Sequence, residues 1–315
     1  MTNKVYDLIT ERILTQLDNG VVPWRRPWGL QPGLMPMNAT TSREYKGINA
    51  LMLGLSGYTD VRWMTYKQAA ERGGQVRKGE KSTPIIFWKQ SQVQDANDAG
   101  ETVTKTIPML RYYAVFNVEQ IDGLKLPKLA VQENTFNPVG EAEAVIANMP
   151  NPPSIDHNGR NRAYYTPSQD SIHLPPQSAF ETPDEYYSTL FHELGHSTGH
   201  ESRLNRHGME TGIAPFGSAT YSKEELAAEF TACFLCHLSG ITNTTDNSAS
   251  YIAGWASKLR GDRKLVLQGA SQGQKAADFI LGGYRSPVVQ TGPHDASERS
   301  QEDKLADLYP VMGGV

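Results

Sequence analysis

The stretch FHELGHSTGH at 191–200 holds two histidines four residues apart with a glutamate beside the first. On a helix, His192 and His196 at i and i+4 leave the same face, so both imidazoles point one way. Glu193 leans toward the same opening. This is the H-E-x-x-H arrangement, in which two imidazoles hold Zn²⁺ and the glutamate manages the protons of a water molecule. The ion would acidify that water and polarise a carbonyl. Glu193 would take the proton and return it to a departing amine, so the chemistry expected is peptide hydrolysis. The longer H-E-x-x-H-x-x-G-x-x-H pattern is not completed. His200 follows Gly199 and is expected in a loop or cap.

A metal site needs a further ligand, and the best source is EELAAEF. The helix expected over 223–238 is apolar nearly all round, hence buried. Glu225 and Glu229 share one face of it. A buried carboxylate without a partner is costly, and a cation with its histidines is a sufficient partner. Glu225 is therefore assigned to the metal, and Glu229 to a histidine N–H behind it. Ser222-x-x-Glu225 also reads as a capping box, so Glu225 stands between ligand and cap, with burial favouring the ligand. CFLCH at 233–237 has the spelling of a haem-attachment site, but it lies inside this buried helix, and Cys233 and Cys236 are read as core residues.

The elements that must position these groups follow from start and stop signals. Thr182 as N-cap, Pro183 at the first helical position and Glu185 as the reciprocal cap open the helix bearing the histidines, and Gly199 closes it. RAYYTPSQDSIHLP before it predicts a hairpin whose SIHLP strand could offer an edge to an extended peptide. Helices are predicted at 3–18, over GINALMLGLSG and WMTYKQAAERGG (Thr65 its N-cap), and at 140–149, 246–260 and 263–282. STPIIFWKQ and MLRYYAVFNVEQI predict strands, with 91–106 a hairpin tip or loose loop.

Charge divides the 315 residues unevenly: 1–130 carry net +5 and 131–315 net −9. Four of the five tryptophans fall in the first part. The division predicts domains at 1–130 and 141–284, a linker at 131–140 and a polar tail at 285–315. Residues 25–89 alone hold 11 Lys+Arg against 4 Asp+Glu. Trp24, Arg25, Arg26 and Trp28 lie in a Pro-stiffened loop. Arg43, Tyr45 and Lys46 follow, and Arg77, Lys78, Lys81 and Lys89 flank a strand. Cations that follow phosphates and aromatics that stack bases make a surface for single-stranded DNA. Trp63 and Trp88, beside apolar runs, are expected in the core. No apolar run reaches the length of a membrane span. The first residues read as an amphipathic helix, not a signal peptide, so a cytoplasmic location is expected.

Together these residues resemble the plasmid- and phage-borne antirestriction proteins of the ArdC type. PWRRPW, YKGINALML, RWMTYKQAAERGGQVRKGEKSTPIIFWK and YYAVFNVEQIDGL are similar to that family's single-strand DNA-binding domain, which also occurs in some plasmid primases. RAYYTPSQDSIHLP, YYSTLFHELGHSTGHESRL, EELAAEFTACFL and QKAADFIL resemble its zincin-like metallopeptidase domain. The resemblance implies an α+β fold: a small basic DNA-binding domain, then a mostly helical zincin-like domain with a short sheet. It implies non-specific binding of single-stranded DNA and protection of incoming plasmid or phage DNA from host restriction. It implies a peptidase site with His192, His196 and Glu225 on the metal, Zn²⁺ or alternatively Mn²⁺, and Glu193 catalytic, acting on DNA-bound protein. Two other readings are a DNA-shielding protein with a structural metal and a primase-associated accessory. No polymerase-like acidic triad supports the second.

Overall fold

The structure, a computed structural model, describes residues 2–24, 33–96, 102–127, 137–159, 161–206, 219–242 and 249–284. The expected polar tail and most of the expected linker lie outside them.

A 17-residue helix, α1 (Thr2–Asp18), opens the chain and buries Val5, Ile9, Ile13, Leu14 and Leu17 at helical spacing. Four strands then form one sheet in the order β1-β2-β5-β4: β1 (Met37–Asn38), β2 (Arg62–Thr65), β4 (Thr83–Ala96) and β5 (Thr102–Asn117). β1 runs parallel to β2, and the other pairs are antiparallel. The β4/β5 ladder continues to the pair Ala96↔Thr102, so much of the polar 91–106 segment is paired backbone and not loose loop. Trp63 and Met64, the two residues before the expected N-cap, belong to β2. Thr65 then caps α3 (Tyr66–Glu71), with its side chain and that of Gln68 bonding each other's backbone N–H. A second ladder joins β3 (Gln75–Val76) to β6 (Ile121–Asp122). The outer edge of β4 is closed by α2 (Ile48–Gly54). Asn49 donates to the Ile86 carbonyl and accepts from the Ile86 N–H, both at 2.8 Å, which satisfies the two groups an edge strand exposes there.

The second half is mostly helical: α4 (Pro138–Asn148), α5 (Pro183–Ser197), α6 (Ala219–Ser239), α7 (Ala249–Gly261) and α8 (Leu265–Leu281). A short sheet has the order β7-β9-β8, from β7 (Ser154–Asp156), β8 (Tyr164–Thr166) and β9 (Ser171–His173). The hairpin of β8 and β9 is as expected, but β7 was not foreseen. It pairs in parallel along the other side of β9, so the SIH segment is central and offers no free edge.

α6 is the axis of this half, and glycines let its neighbours approach. A Cβ on Gly195 of α5 would lie 3.0 Å from the Ala228 Cα. Cβ atoms on Gly269 and Gly273 of α8 would lie 2.7 Å from Leu226 and 2.5 Å from Phe230. Small residues at such crossings set helix separation. The main apolar core draws on α1, α2, Trp24, Ile86 and Leu110 as well as α4 to α8, so it is continuous across both halves. Trp63 is fully buried in a smaller cluster, and Trp88 is half-buried against the main core.

Candidate metal centre

α5 starts where its signals placed it. The Thr182 hydroxyl accepts from the Glu185 N–H at 3.2 Å, and Pro183 is the first helical residue. The Glu185 carboxylate reaches back to the N–H of Glu181, one residue before the cap. Further along, the helix presents His192 and His196 side by side with their Nε2 atoms 3.1 Å apart.

α6 brings in the third group. Glu225 Oε2 lies 3.7 Å from His192 Nε2, and its Oε1 lies 3.5 Å from His196 Nε2. Among the described residues, these three form the group whose ligand atoms all fall within 4.8 Å of one another. A tetrahedral ion with bonds of about 2.0–2.1 Å spaces its ligands about 3.4 Å apart, so the separations suit such an ion. α6 begins at Ala219, which puts Ser222 inside the helix, so the capping-box alternative for Glu225 does not apply. Glu193 is buried, and its charge acts on His196.

Sequence reasoning missed one carboxylate. Glu224 Oε1 lies 3.3 Å from His196 Nδ1, the ring nitrogen facing away from the other two groups. Arg206 fixes Glu224 from behind through Nε and Nη2, at 2.9 and 2.5 Å. The same guanidinium donates to the Gly195 carbonyl and the Thr198 hydroxyl, so it ties the C-terminal end of α5 to α6. Glu229, assigned to a histidine from sequence, instead accepts the Tyr251 hydroxyl at 2.7 Å. Consecutive residues on a helix are about 100° apart. Glu224 and Glu225 therefore approach His196 from different sides, which spelling alone does not show.

Electrostatics favour a cation here. Burial would lower the His196 pKa, but the Glu224 hydrogen bond and the charges of Glu225, Glu193 and Glu224 outweigh it and raise it to about 9. Burial would raise Glu224, but hydrogen bonds from Arg206 and His196 hold it at about 2. Carboxylates crowded around two imidazoles leave negative charge that one divalent ion would neutralise. His200 bonds Ser202 after the helix end, as a loop residue. Cys233 and Cys236 are buried, with thiol pKa values pushed up by burial, as core residues.

The expected DNA-contacting residues divide. Arg25, Arg26 and Trp28 lie outside the described residues. Trp24 must be withdrawn as a stacking residue: it is fully buried, tilted against Phe230 at 5.6 Å and edge-on to Trp255 at 5.7 Å. Its indole N–H also reaches the Tyr251 hydroxyl. A side chain enclosed by α6 and α7 cannot meet a base. Lys46 is held by Asp278 of α8 at 2.8 Å, and Arg77 by Glu80 and Asp122, so much of their charge is already matched. Tyr45 is half-buried, and Arg43, Lys78, Lys81 and Lys89 are exposed. Lys89 is two residues from Phe87, whose ring stacks on Tyr113 at 4.5 Å with planes 4° apart. Arg111 pairs across the ladder from Phe87, so cations and a stacked aromatic pair share one sheet face.

Residues 3–116 match the family described as the N-terminal domain of anti-restriction factor ArdC, and residues 140–272 match the zincin-like metallopeptidase family MPTase-PolyVal. An Escherichia coli protein named DNA primase TraC is 40% identical over 312 residues. The match takes in 94% of this chain but only 29% of the primase. Two crystal structures of the antirestriction protein ArdC from plasmid R388 are also similar. The Mn(II)-bound one has a TM-score of 0.68 and 35% identity over 90% of this chain and 99% of that one. The metal-free one has a TM-score of 0.67 and 36% identity over 87% and 96%.

Proposed function

This chain belongs to the ArdC antirestriction family, and from that premise we propose that it protects incoming plasmid or phage DNA from restriction. In this reading it binds single-stranded DNA through its basic N-terminal half and carries a metal-dependent peptidase site. The observation that carries the peptidase reading is the convergence of His192, His196 and Glu225 from two helices, with Glu193 buried beside them.

His192 and His196 supply imidazole nitrogens, and Glu225 a carboxylate oxygen. Two histidines and one glutamate form a known catalytic Zn²⁺ ligand set that leaves a position open to substrate. The Mn(II)-bound relative supports a divalent ion, and Mn²⁺ is the alternative to Zn²⁺. When bound, the ion supplies Lewis-acid polarisation of a carbonyl. Glu224 holds the His196 ring through Nδ1, and Arg206 holds Glu224. Glu193 is the group able to accept a proton from water and hand it to a leaving amine.

On the DNA side, exposed Arg43, Lys78, Lys81 and Lys89 supply phosphate contacts, with the Phe87/Tyr113 stack as a platform for bases. The likeness to TraC supports a second reading, an accessory role in DNA processing, since most of this chain matches within a primase. Glu193→Ala separates proteolysis from simple shielding of the DNA. Metal content by mass spectrometry should equal wild type, while cleavage of protein on single-stranded DNA should be lost. If the variant protects transferred DNA as well as wild type does, shielding and not proteolysis is the function. His192→Ala should lose the metal.

A further inference from the structure

A cleft of about 390 Å³ lies between α1, the end of α2 and the start of β4, built from residues other than those of the metal centre. Arg12 reaches it from α1, and Lys81 from the turn leading into β4. Ser56, Tyr58, Ser82 and Thr83 line it between them; the Ser56 hydroxyl is committed to the Met52 carbonyl at 2.9 Å and sits 3.3 Å from the Thr83 hydroxyl. Among the described residues, neither the Arg12 guanidinium nor the Lys81 ammonium has a hydrogen-bond or ion-pair partner. This sets them apart from Lys46, Arg62, Arg77, Arg203, Arg206, Arg260 and Arg263, each paired with a carboxylate.

The acids whose charge acts on Tyr58, and Glu11 beside Arg12, which pairs with Arg263, are already engaged. Glu80, next to Lys81 in sequence, bonds Arg77 and the Gln120 amide. Glu119 accepts from the Thr59 N–H and hydroxyl and from the Asp60 N–H. Neither is free to neutralise Arg12 or Lys81. Burial and then the charges of Glu80 and Glu119 raise the Tyr58 hydroxyl, so it keeps its proton at neutral pH and remains a donor. Partial desolvation lowers the Arg12 guanidinium without threatening its charge.

Two unmatched cations from different elements face one cleft with the Tyr58 and Ser82 hydroxyls between them. We propose that this cleft is a phosphate subsite that seats one phosphodiester of a single strand, an inference that rests on the DNA-binding reading. Arg supplies the forked donor that suits phosphate oxygens, Lys the second charge, and the hydroxyls fill the remaining acceptor directions. The volume exceeds a phosphate group alone and admits the attached sugar. Lys81 is among the DNA-contacting residues expected from the sequence; Arg12 is not, because it lies in an amphipathic helix outside the basic segment.

The test uses the full chain, wild type and Arg12→Gln/Lys81→Gln, with two probes: a short oligothymidylate and inorganic phosphate at matched ionic strength. Both side chains are exposed, and a thermal scan checks that the variant folds. The variant should bind the oligonucleotide about tenfold more weakly, with the slope of log K against log salt reduced by about 0.7, one phosphate's worth on a single strand. Arg12→Lys with Lys81 intact should recover most of the affinity. A variant that matches wild type on both probes overturns the subsite while the DNA-binding reading stands. If wild type binds phosphate but not the oligonucleotide, and the variant binds neither, the cleft is an anion site and the DNA-binding reading fails instead.

Discussion

Gly195 of α5 stands over Ala228 of α6 so closely that a Cβ there would lie 3.0 Å from the Ala228 Cα and 3.1 Å from the Thr231 Cβ. The obstructing atoms are backbone and a buried β-branched side chain, neither of which can swing away. Gly195 is the residue just before His196, so the space it leaves open lets Glu225 reach the histidines.

Gly195→Ala should therefore weaken metal binding and stability together. Overpacking typically costs about 1–3 kcal/mol. Calorimetry with and without metal should show a lower melting temperature and a smaller stabilisation by the ion. Gly254→Ala is the control: its site in α7 is open, so it should be neutral or more stable by up to about 1 kcal/mol. Equal behaviour of the two variants would show that the crossing is not tight.

Glu224→Gln keeps an oxygen facing Arg206 but weakens the hold on His196 Nδ1. Loss of such a hydrogen bond behind a metal ligand typically costs about 10–100-fold in affinity. Competition with a chelating dye reads this directly, and circular dichroism should remain that of wild type. Unchanged affinity would leave Glu224 as merely the partner of Arg206.

Trp24→Phe bears on the core and not on DNA. The smaller ring leaves a void among Phe230, Trp255 and Tyr251 and should cost about 2 kcal/mol in a denaturant titration. Oligonucleotide affinity of the folded variant should stay within about twofold of wild type. A large loss of affinity in a protein of undiminished stability would return Trp24 to the DNA surface.

His237 supplies a pH prediction. It is half-buried on α6, hydrogen-bonded at 2.8 Å to the Leu34 carbonyl, and desolvation lowers its pKa to about 4 despite that bond. The folded value lies below the unfolded value of about 6.5, so the unfolded chain binds the proton first as pH falls. Stability is intact above about pH 6.5, declines between there and 4, and has lost this contribution below. His237→Gln keeps a donor for Leu34 without the titration. Relative to it, wild type should lose about 3 kcal/mol between pH 7 and 4. Parallel pH profiles for the two proteins would rule His237 out as the source.

What could be foreseen follows from how far each signal reaches along the chain. The α5 boundaries and the pairing of His192 with His196 are local, set by a cap, a proline and a four-residue spacing. Glu225 was accessible because a nearly all-apolar helix with carboxylates on one face needs a partner for them. Glu224 was hidden because choosing between adjacent glutamates takes the crossing angle of two helices. β7 was missed because three residues carry no periodicity. The fate of Trp24 is decided by Tyr251 and Trp255, more than two hundred residues away, while its Pro-rich surroundings suggested exposure. Likewise, Lys46 looked like a free cation until α8 brought Asp278 beside it.

The hydroxyl of Tyr251 accepts the Trp24 indole N–H and donates to Glu229, four residues beyond Glu225 on the same helix. Trp24 is thereby stitched to α6, the helix that also carries Glu225. That phenol is a single pin between distant parts of the chain, so whatever seats α7 also fixes Trp24 against the helix that carries Glu225.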